Sequence, residues 1–259
     1  MTVTDVNVVK SAIFERPDDA NKGTLGSLLC VCGSYGMAGA AVMSTKGALR
    51  TGIGLAKCAL PRSIYPIVAQ TILESVYYPL SENADGRISK VNVPFLVSES
   101  CKSSATLVGC GLGVCDDTLK IVFSLIENST TPLVLDADAL NCVAKQPEIL
   151  LRKKASIIIT PHPGEMSRLT GLATSLVNAE RERVALDFAQ KYGVVTVLKG
   201  AGTVIASPNG KVLVNPTGNS GMATGGSGDV LAGMTASILA QGASAFSSAA
   251  AAVYLHGLA

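Results

Sequence analysis

The chain has 259 residues, of which 48% are apolar and 15% are charged, and its formal net charge is +2. This composition is typical of a compact globular protein and excludes a disordered chain. The sequence has no run rich in Lys or Arg, no tryptophan and few other aromatic residues, so it gives no basis for nucleic-acid binding. The length suits one large α/β domain, and we expect a single domain over residues 1–259.

Cysteine usage and apolar segments indicate the cellular setting. The seven cysteines lack a metal-binding spacing, and Cys30 and Cys32 fall in an apolar run that predicts buried thiols. The first residues lack a basic region followed by an apolar one, so no secretion signal is expected. The most apolar region, 229–259, is interrupted by Gln241 and Gly242 and predicts two packed helices rather than a membrane span. We expect a cytoplasmic protein with no membrane partner.

Short β-rich runs alternate with helical patterns along the chain. The predicted strands are 28–32, 55–60, 75–80, 105–110, 132–137, 156–160 and 194–199, and the predicted helices lie near 38–50, 117–127, 138–151 and 178–192. Apolar strands that alternate with helices indicate a mainly parallel sheet covered on both faces. The last runs, 194–199, 203–206 and 211–214, are separated by short turns, and the Asn209-Gly210 pair favours a hairpin. The sheet is therefore expected to have an antiparallel edge.

Polar or Gly-rich segments follow six of the predicted strands. They are 33–39, 109–113, 136–141, 160–165, 199–203 and 217–229. Ligands of open α/β sheets bind beyond the carboxyl ends of the strands. We therefore expect these six segments to form the functional site together.

The first three segments leave their roles partly open. Segment 33–39 is not GxGxxG, so it either contacts a ligand or forms a tight turn, and 109–113 either lines a pocket or forms a turn. In the third segment, Asp138 is expected to cap a helix. Asp136, at the end of a strand, is expected to face the site and to orient a hydroxyl group or a hydrated metal.

The next two segments contain a histidine and a lysine. His162 lies between two prolines that stiffen its backbone, whereas His256 lies in an apolar helical pattern and is expected to be structural. Glu165 is suited to hold a water of Mg²⁺, or to serve as the acid of a first helical turn. Lys199 and Thr203 can supply a charge and a hydroxyl group to a phosphate, although the segment is not a P-loop and also fits a hairpin turn.

The segment 215–229, NPTGNSGMATGGSGD, precedes the apolar helical run 230–239. Its five glycines leave backbone N–H groups exposed at the start of a helix, which is the basis of an anion site. A carboxylate is out of place at a simple phosphate site, but Asp229 fits one where it deprotonates a hydroxyl group that attacks phosphorus. The alternative is that Asp229 only caps the helix, which does not explain the glycines.

The segments 160–165, 199–203 and 215–229 together resemble the NAD(P)H-hydrate dehydratase family, which has a ribokinase-like fold. The resemblance extends from about Gly26 to the last residue. It implies an α/β, ribokinase-like domain that repairs nicotinamide cofactors. In this family, NADH or NADPH that has taken up water (NADHX or NADPHX) is phosphorylated on the new hydroxyl group, and loss of phosphate restores the dihydropyridine ring.

The resemblance also implies roles for individual residues. Asp229 would be the catalytic base, and the anion hole would consist of Gly225, Gly226, Ser227 and Gly228. The phosphate donor, ADP or ATP, would bind Lys199, Gly200, Ala201, Gly202, Thr203 and Gly228. The hydrate pocket would be lined by Ala40, Gly111, His162 and Asp229. Glu165 would lie near Mg²⁺ and hold it through water.

The chain resembles a stand-alone dehydratase, since it has no room for a fused epimerase domain. That form typically uses ADP, with ATP as the alternative, and the fold family often forms homo-oligomers. The family continues past Ala259, so we expect the C-terminal end to be truncated. A ribokinase-like kinase for a vitamin precursor and a nucleotide-binding module without catalysis stay open as alternatives. The missing GxGxxG disfavours a Rossmann oxidoreductase.

Overall fold

The fold is known from a computed structural model, which describes residues 3–13 and 15–259. The strands of this part are β1 Ser27–Val31, β2 Leu55–Pro61, β3 Val76–Leu80, β4 Ala105–Val108, β5 Leu133–Leu135, β6 Ile157–Ile159, β7 Val195–Leu198, β8 Val204–Ala206 and β9 Val212–Val214. Its α-helices are α1 Val6–Ala12, α2 Ala38–Arg50, α3 Tyr65–Thr71, α4 Val93–Cys101, α5 Asp116–Asn128, α6 Asp138–Val143, α7 Pro163–Thr170, α8 Thr174–Ala179, α9 Arg181–Tyr192, α10 Ser227–Ala240 and α11 Ala245–Leu258.

The nine strands form one sheet in the order β3-β2-β1-β4-β5-β6-β7-β8-β9. Strands β1 to β7 are parallel, whereas β7, β8 and β9 pair antiparallel, which confirms the predicted mainly parallel sheet with an antiparallel edge. The chain builds outward from β1 to β3 and then returns to add β4 on the other side of β1. The direction of winding therefore reverses between β1 and β4, and ligands of open sheets bind at such a reversal.

Helices cover both faces of the sheet. One core contains buried side chains from α4, α5, α6, α7 and α9, and the other contains side chains from α1, α2, α3, α10 and α11. The central strands are buried on both faces, as in Ala105–Val108, because each face is covered by its own helical layer. Both layers leave the carboxyl ends of the strands to the loops.

Two predicted helices are broken, which corrects the sequence analysis. The predicted helix 138–151 ends at Val143 and is followed by a short 3₁₀ turn, Pro147–Arg152, because a residue that precedes proline disfavours the helical region and proline lacks an N–H group. The predicted helix 178–192 is two helices that meet at Glu180, whose φ of −126° and ψ of 42° are not helical. The Arg181 side chain then donates to the Leu198 carbonyl oxygen at 2.8 Å.

Some elements escaped the sequence analysis. Helices α1, α3, α4 and α7 have only seven to nine residues, which is too short for a clear helical period. Strand β4 is shorter than predicted because Gly109, with a φ of 132°, turns the chain away from the sheet. The predicted pair of helices in 229–259 is confirmed, and no helix in residues 3–13 and 15–259 combines the length and apolar character needed to cross a membrane.

Helices α2 and α10 pack with their backbones in near contact. A Cβ atom on Gly233 would lie 1.9 Å from the Ser44 carbonyl oxygen, and one on Gly47 would lie 2.7 Å from the Val230 carbonyl oxygen. Real Cβ atoms do not approach that closely, so only glycine fits at these two positions. This packing places the first turn of α10 over the centre of the sheet.

We expect Gly233→Ala to lower the free energy of unfolding by about 2 kcal/mol or more, because the added methyl group overlaps the Ser44 backbone and forces the helices apart. Gly39→Ala in α2 is the matched control, since the nearest atom to its added Cβ is Met43 Cε at 4.0 Å. We expect this control to be neutral or to stabilise by up to about 1 kcal/mol. Equilibrium unfolding in urea measures both, and equal effects would contradict the close packing.

Candidate active site

The loops that follow β1 and β4 meet where the winding of the sheet reverses. The Gly33 N–H donates to the Cys110 carbonyl oxygen at 2.8 Å, and the Ser34 hydroxyl donates to the Gly111 carbonyl oxygen at 2.7 Å. Gly111 has a φ of 65°, and a Cβ atom there would lie 2.7 Å from Ala40 Cβ. Gly111 and Ala40 are therefore in contact. The Ala40 side chain is buried, so it packs beneath the loop.

The Gly-rich segment leads into the first turn of α10. Gly226 precedes the helix with a φ of 92°, and the first helical bond runs from the Val230 N–H to the Gly226 carbonyl oxygen at 3.0 Å. The Ser227 N–H donates to the Thr224 carbonyl oxygen at 3.4 Å, whereas the N–H groups of Gly228 and Asp229 have no backbone acceptor in the described part of the chain, which leaves donors for an anion. Asp229 lies in this turn but makes no capping hydrogen bond. A plain capping role for Asp229 is thus wrong.

Asp229 is a half-buried acid among other acids. Burial and, next, the carboxylate of Asp136 raise its pKa to about 6, against the opposing effects of the Cys110 thiol and the Lys199 ammonium group. Donor atoms of Asp229, Asp136 and Cys110 lie within 4.8 Å of one another. A carboxyl group with a pKa just below neutrality is ionised at pH 7 and still accepts a proton readily.

A buried ion pair lies beside Asp229. Lys199 Nζ is 2.7 Å from Asp136 Oδ1, and the Thr160 hydroxyl donates to the same oxygen at 2.7 Å. Asp136 is 1% exposed, so its carboxylate is buried among these partners. The ammonium group also approaches the first turn of α10, since a Cβ atom on Gly228 would lie 3.4 Å from Nζ. Lys199 thus connects the acidic cluster with the start of α10.

Asp138 does not cap α6, which corrects the sequence analysis. The residue at the cap position is Ala137, and Asp138 is the first helical residue. Its carboxylate instead accepts the Gly113 N–H at 2.8 Å and so anchors the loop after β4. Ala137 has a φ of 49°, the only positive φ of a non-glycine residue in the described part of the chain. Because of this turn, Asp136 and Asp138, on either side of Ala137, bind different partners, Lys199 and Gly113.

His162 and Glu165 form a reciprocal cap at the start of α7. His162 Nδ1 accepts the N–H groups of Gly164 and Glu165 at 3.0 and 3.2 Å, and Glu165 Oε2 accepts the His162 N–H at 2.8 Å. Because Nδ1 is an acceptor, the ring proton resides on Nε2, which lies 3.5 Å from Glu165 Oε1. Burial and the nearby Lys199 lower the pKa of His162, so the ring is neutral at pH 7.

Glu165 is a buried acid for which the sequence suggested two roles, the acid of a first helical turn and a holder of Mg²⁺ through water. It is the acid of the first turn of α7, as the structural alternative proposed, and its Oε2 atom is 4.0 Å from Lys199 Nζ. Burial raises its pKa to about 7, although Lys199 opposes the rise. Near neutral pH the group is therefore only partly ionised. A cation next to it would favour the charged form, so Glu165 fits a role near Mg²⁺.

The segment 199–203 is a hairpin loop between β7 and β8, which agrees with the hairpin turn that the sequence offered as an alternative. The Thr203 hydroxyl is engaged within this loop, since it donates to the Gly200 carbonyl oxygen at 2.9 Å. Gly200 has a φ of 149°, and a Cβ atom there would lie 2.9 Å from the Arg181 guanidinium group. The roles of residues 199–203 in nucleotide binding stay predictions.

The structure brings most of the predicted residues to one edge of the sheet. Sequence reasoning missed the pair of Asp136 and Lys199 and the contribution of Thr160. The sequence did contain a signal for this cluster, because the three residues directly follow the strands β5, β6 and β7, which are neighbours in the sheet. The anion hole and the hydrate pocket stay predictions, since they depend on bound molecules.

Comparison with known proteins adds independent findings. The family model described as NAD(P)H-hydrate dehydratase matches residues 28–259. The chain is 38% identical over 250 residues to the bifunctional NAD(P)H-hydrate repair enzyme Nnr of Moorella thermoacetica, a match that covers 96% of the chain and 47% of that enzyme. It is 36% identical to the ADP-dependent (S)-NAD(P)H-hydrate dehydratase of Neisseria meningitidis, over 94% of the chain and 79% of that protein.

A solved structure supports the same relationship. The ADP/ATP-dependent NAD(P)H-hydrate dehydratase of Bacillus subtilis, co-crystallized with ATP/Mg²⁺, matches with a TM-score of 0.82 and 31% identity. The match covers 98% of the chain and 86% of that structure, which confirms the predicted fold. The chain spans about half the length of the bifunctional relatives that it matches.

We expect Glu165→Gln to stabilise the fold more at high pH than at low pH. The pKa of Glu165 rises from 4.5 to about 7 on folding, so the folded state binds its proton more tightly and loses stability as pH rises through this window. Glutamine keeps the acceptor for the His162 N–H and does not ionise. We expect a gain on the order of 2 kcal/mol at roughly pH 8 and less than about 1 kcal/mol at roughly pH 5.

Urea unfolding of both proteins at the two pH values measures this difference. Glu74→Gln is the control, because Glu74 is exposed. An equal pH dependence of the two substitutions would contradict a raised pKa of the buried Glu165 carboxyl group.

Proposed function

Because the chain belongs to the NAD(P)H-hydrate dehydratase family, we propose that it uses a nucleotide to return hydrated NADH or NADPH to the intact cofactor. The reaction comprises transfer of a phosphoryl group to the ring hydroxyl group and elimination of phosphate. One observation carries the proposal. The Asp229 carboxylate lies in the first turn of α10, beside free N–H groups, and caps nothing.

In the first step, Asp229 accepts the proton of the ring hydroxyl group. The hydroxyl oxygen forms a bond to the terminal phosphorus of the donor, and the bond from that phosphorus to its bridging oxygen breaks. The nucleotide leaves with one phosphate fewer. Negative charge on the transferred group would be met by the N–H groups of Gly225–Gly228 and by the Lys199 ammonium group, which is the electrostatic stabilisation that phosphoryl transfer requires.

In the second step, the carbon–oxygen bond breaks and inorganic phosphate leaves. The electron pair of the ring nitrogen expels the phosphate, and the ring carbon next to the one that carried the oxygen then loses a proton to water, so the dihydropyridine is restored. Hydroxide is a poor leaving group and phosphate is a good one, which is why the nucleotide is needed. No strong protein acid is required for this step, because phosphate leaves without further protonation.

The hydrate would lie against the loops after β1 and β4. Gly111 and the underlying Ala40 would form the floor of this pocket, and His162, whose side chain is 51% exposed, would form its side. The open backbone at Gly111 has no side chain to block a flat ring. This arrangement would place the ring hydroxyl group within reach of Asp229.

The phosphate donor would bind between the hairpin 199–203 and Gly228. Lys199 and Gly228 are neighbours in space, which supports their shared assignment. The relatives' names give ADP for the Neisseria protein and ADP or ATP for the Bacillus protein. We propose ADP as the donor, with ATP as the alternative.

Mg²⁺ would accompany the donor phosphates. The residues present fit this ion, because its preferred ligands are oxygens and water, and Glu165 offers a buried carboxylate whose charge a cation would stabilise. When bound, the ion would neutralise phosphate oxygens, and Glu165 would hold it through water.

The direct experiment incubates the purified chain with hydrated NADH and Mg²⁺, with ADP, with ATP or with no nucleotide. Recovery of the dihydronicotinamide absorbance that requires a nucleotide supports the proposal, and the ratio of the two rates identifies the donor. Hydrated NADPH in a parallel series gives the preference between the substrates. A stable phosphoester without recovery would instead identify a small-molecule kinase, and nucleotide binding without turnover would identify a binding module.

We expect Asp229→Asn to lower turnover by about 1,000-fold or more, because the amide cannot accept the hydroxyl proton. Nucleotide affinity should change by less than about 3-fold, since Asp229 makes no capping bond that holds the loop. Recovery of the dihydronicotinamide absorbance measures turnover, and titration calorimetry measures the affinity for the nucleotide. Asp116→Asn, which makes the same change in the first turn of α5, is the control and should leave both unchanged. Undiminished turnover in Asp229→Asn would remove Asp229 as the base.

We expect the turnover of the unmodified chain to rise with pH through about 6 to 7. Asp229 must lose its proton to act as a base, and burial raises its pKa to about 6, with Glu165 at about 7. Below this window both acids are protonated, so the rate falls tenfold or more per unit at the lowest pH values, roughly as for one or two essential ionisations. The profile of kcat/KM between roughly pH 5 and 8 measures this, and full activity at roughly pH 5 would contradict it.

A further inference from the structure

The Asp136 carboxylate is held by the residues around it, although it lies next to the proposed reaction. We propose that Asp136 is a positioning residue that fixes the Lys199 ammonium group at the first turn of α10, where the transferred phosphoryl group is stabilised. This inference rests on the proposed function and adds a role for Asp136 to it. Asp136 then acts on the reaction through Lys199 and does not touch the substrate.

Both oxygens of Asp136 already have partners. Oδ1 accepts hydrogen bonds from Lys199 Nζ and from the Thr160 hydroxyl, each at 2.7 Å. Oδ2 faces the Cys110 thiol at 3.8 Å. The thiol is buried, and its neighbours and burial raise the pKa of Cys110, so the thiol keeps its proton and donates it. A carboxylate engaged in this way is not free to take a proton from substrate.

Lys199 needs a fixed counter-charge at this place. The start of a helix carries partial positive charge, so an ammonium group there is repelled unless a carboxylate holds it. The Lys199 side chain is 18% exposed, and a flexible four-carbon side chain loses conformational freedom when it is held in one position. Two carboxylates lie within 4.0 Å of its ammonium group: Asp136 is in contact at 2.7 Å, and Glu165 is at 4.0 Å. Asp136 therefore fixes the position, and Glu165 contributes only charge.

The partners come from neighbouring strands, which makes the arrangement rigid. Asp136 follows β5, Thr160 follows β6 and Lys199 follows β7, and these strands lie side by side in the sheet. Each side chain begins at a strand end that is fixed by the ladder of hydrogen bonds. Phosphoryl transfer depends on charges that are in place before the reaction, so such an anchor contributes to the rate rather than to nucleotide binding.

The test is a double-mutant cycle with Asp136→Asn, Lys199→Met and the double variant. Asparagine keeps the shape of Asp136 and removes its charge. We expect each single substitution to lower kcat on the order of 100-fold. Lys199→Met should also raise KM for the nucleotide, because Lys199 belongs to the proposed donor site, whereas Asp136→Asn keeps the ammonium group and should change KM by less than about 3-fold. If Asp136 acts through Lys199, the double variant is within about 3-fold of Lys199→Met, whereas independent roles would multiply to about 10,000-fold.

Glu99→Gln is the matched control. Glu99 is also a buried carboxylate that pairs with lysines, Lys102 at 2.9 Å and Lys57 at 3.7 Å, but it lies at the far end of α4, away from the site. We expect it to lower the thermal midpoint and to leave kcat unchanged. An Asp136→Asn variant that behaves in the same way, with lower stability and normal kcat, would overturn the inference, as would multiplicative losses in the cycle.

A binding measurement makes the test independent of turnover. Orthovanadate with AMP imitates a phosphoryl group in transfer. Its affinity for the chain therefore measures how well the first turn of α10 and Lys199 stabilise negative charge, without any turnover. We expect about 100-fold weaker binding of vanadate in either single variant and no further loss in the double variant. Coupled losses here, with no turnover of hydrated NADH by the unmodified chain, would overturn the dehydratase and keep the positioning role. Vanadate binding that is insensitive to Asp136→Asn would overturn the positioning role itself.

Discussion

The contact between α2 and α10 determines where the site lies. At Gly47 and Gly233 the two helices approach until backbone meets backbone, so α10 lies close above the sheet and its first turn ends over the strand termini. Any side chain at these glycines would lift the helix and move its N–H groups away from the loops after β4, β5 and β7. The anion site is thus a product of helix packing, and the glycines inside the helices matter as much as those in the Gly-rich loop.

The same geometry forces several acids into one region, where one buried cation balances them. Asp136 is paired with Lys199, whereas Asp229 and Glu165 lie farther from that cation and have raised pKa values of about 6 and about 7. The charge of Asp136 is balanced by its contact with Lys199, whereas the pKa values of Asp229 and Glu165 lie close to neutral pH. The first arrangement suits a positioning role, and the second suits proton transfer.

Much of the fold and part of the site could be predicted from the sequence. Apolar runs with turn signals between them define the strands, and the Asn209-Gly210 turn defines the antiparallel edge. The short helices and the break at Glu180 could not be predicted, because a few residues carry too little periodicity and tertiary contacts decide them. The position of Asp138 along the chain predicts a helix cap, but its carboxylate accepts the N–H of Gly113, which lies 25 residues away. Asp136 and Lys199 are 63 residues apart, and only the strand order makes them neighbours.

The turn at Ala137 limits which sequences can occupy this site. Its φ of 49° is a region where a side chain crowds the backbone, and the crowding is most severe for branched side chains. The alanine methyl group takes part in no chemistry, yet it lies between an acid that pairs with Lys199 and an acid that anchors Gly113. We therefore expect larger side chains at position 137 to strain this turn, so a residue that takes part in no chemistry still constrains the sequence of the site.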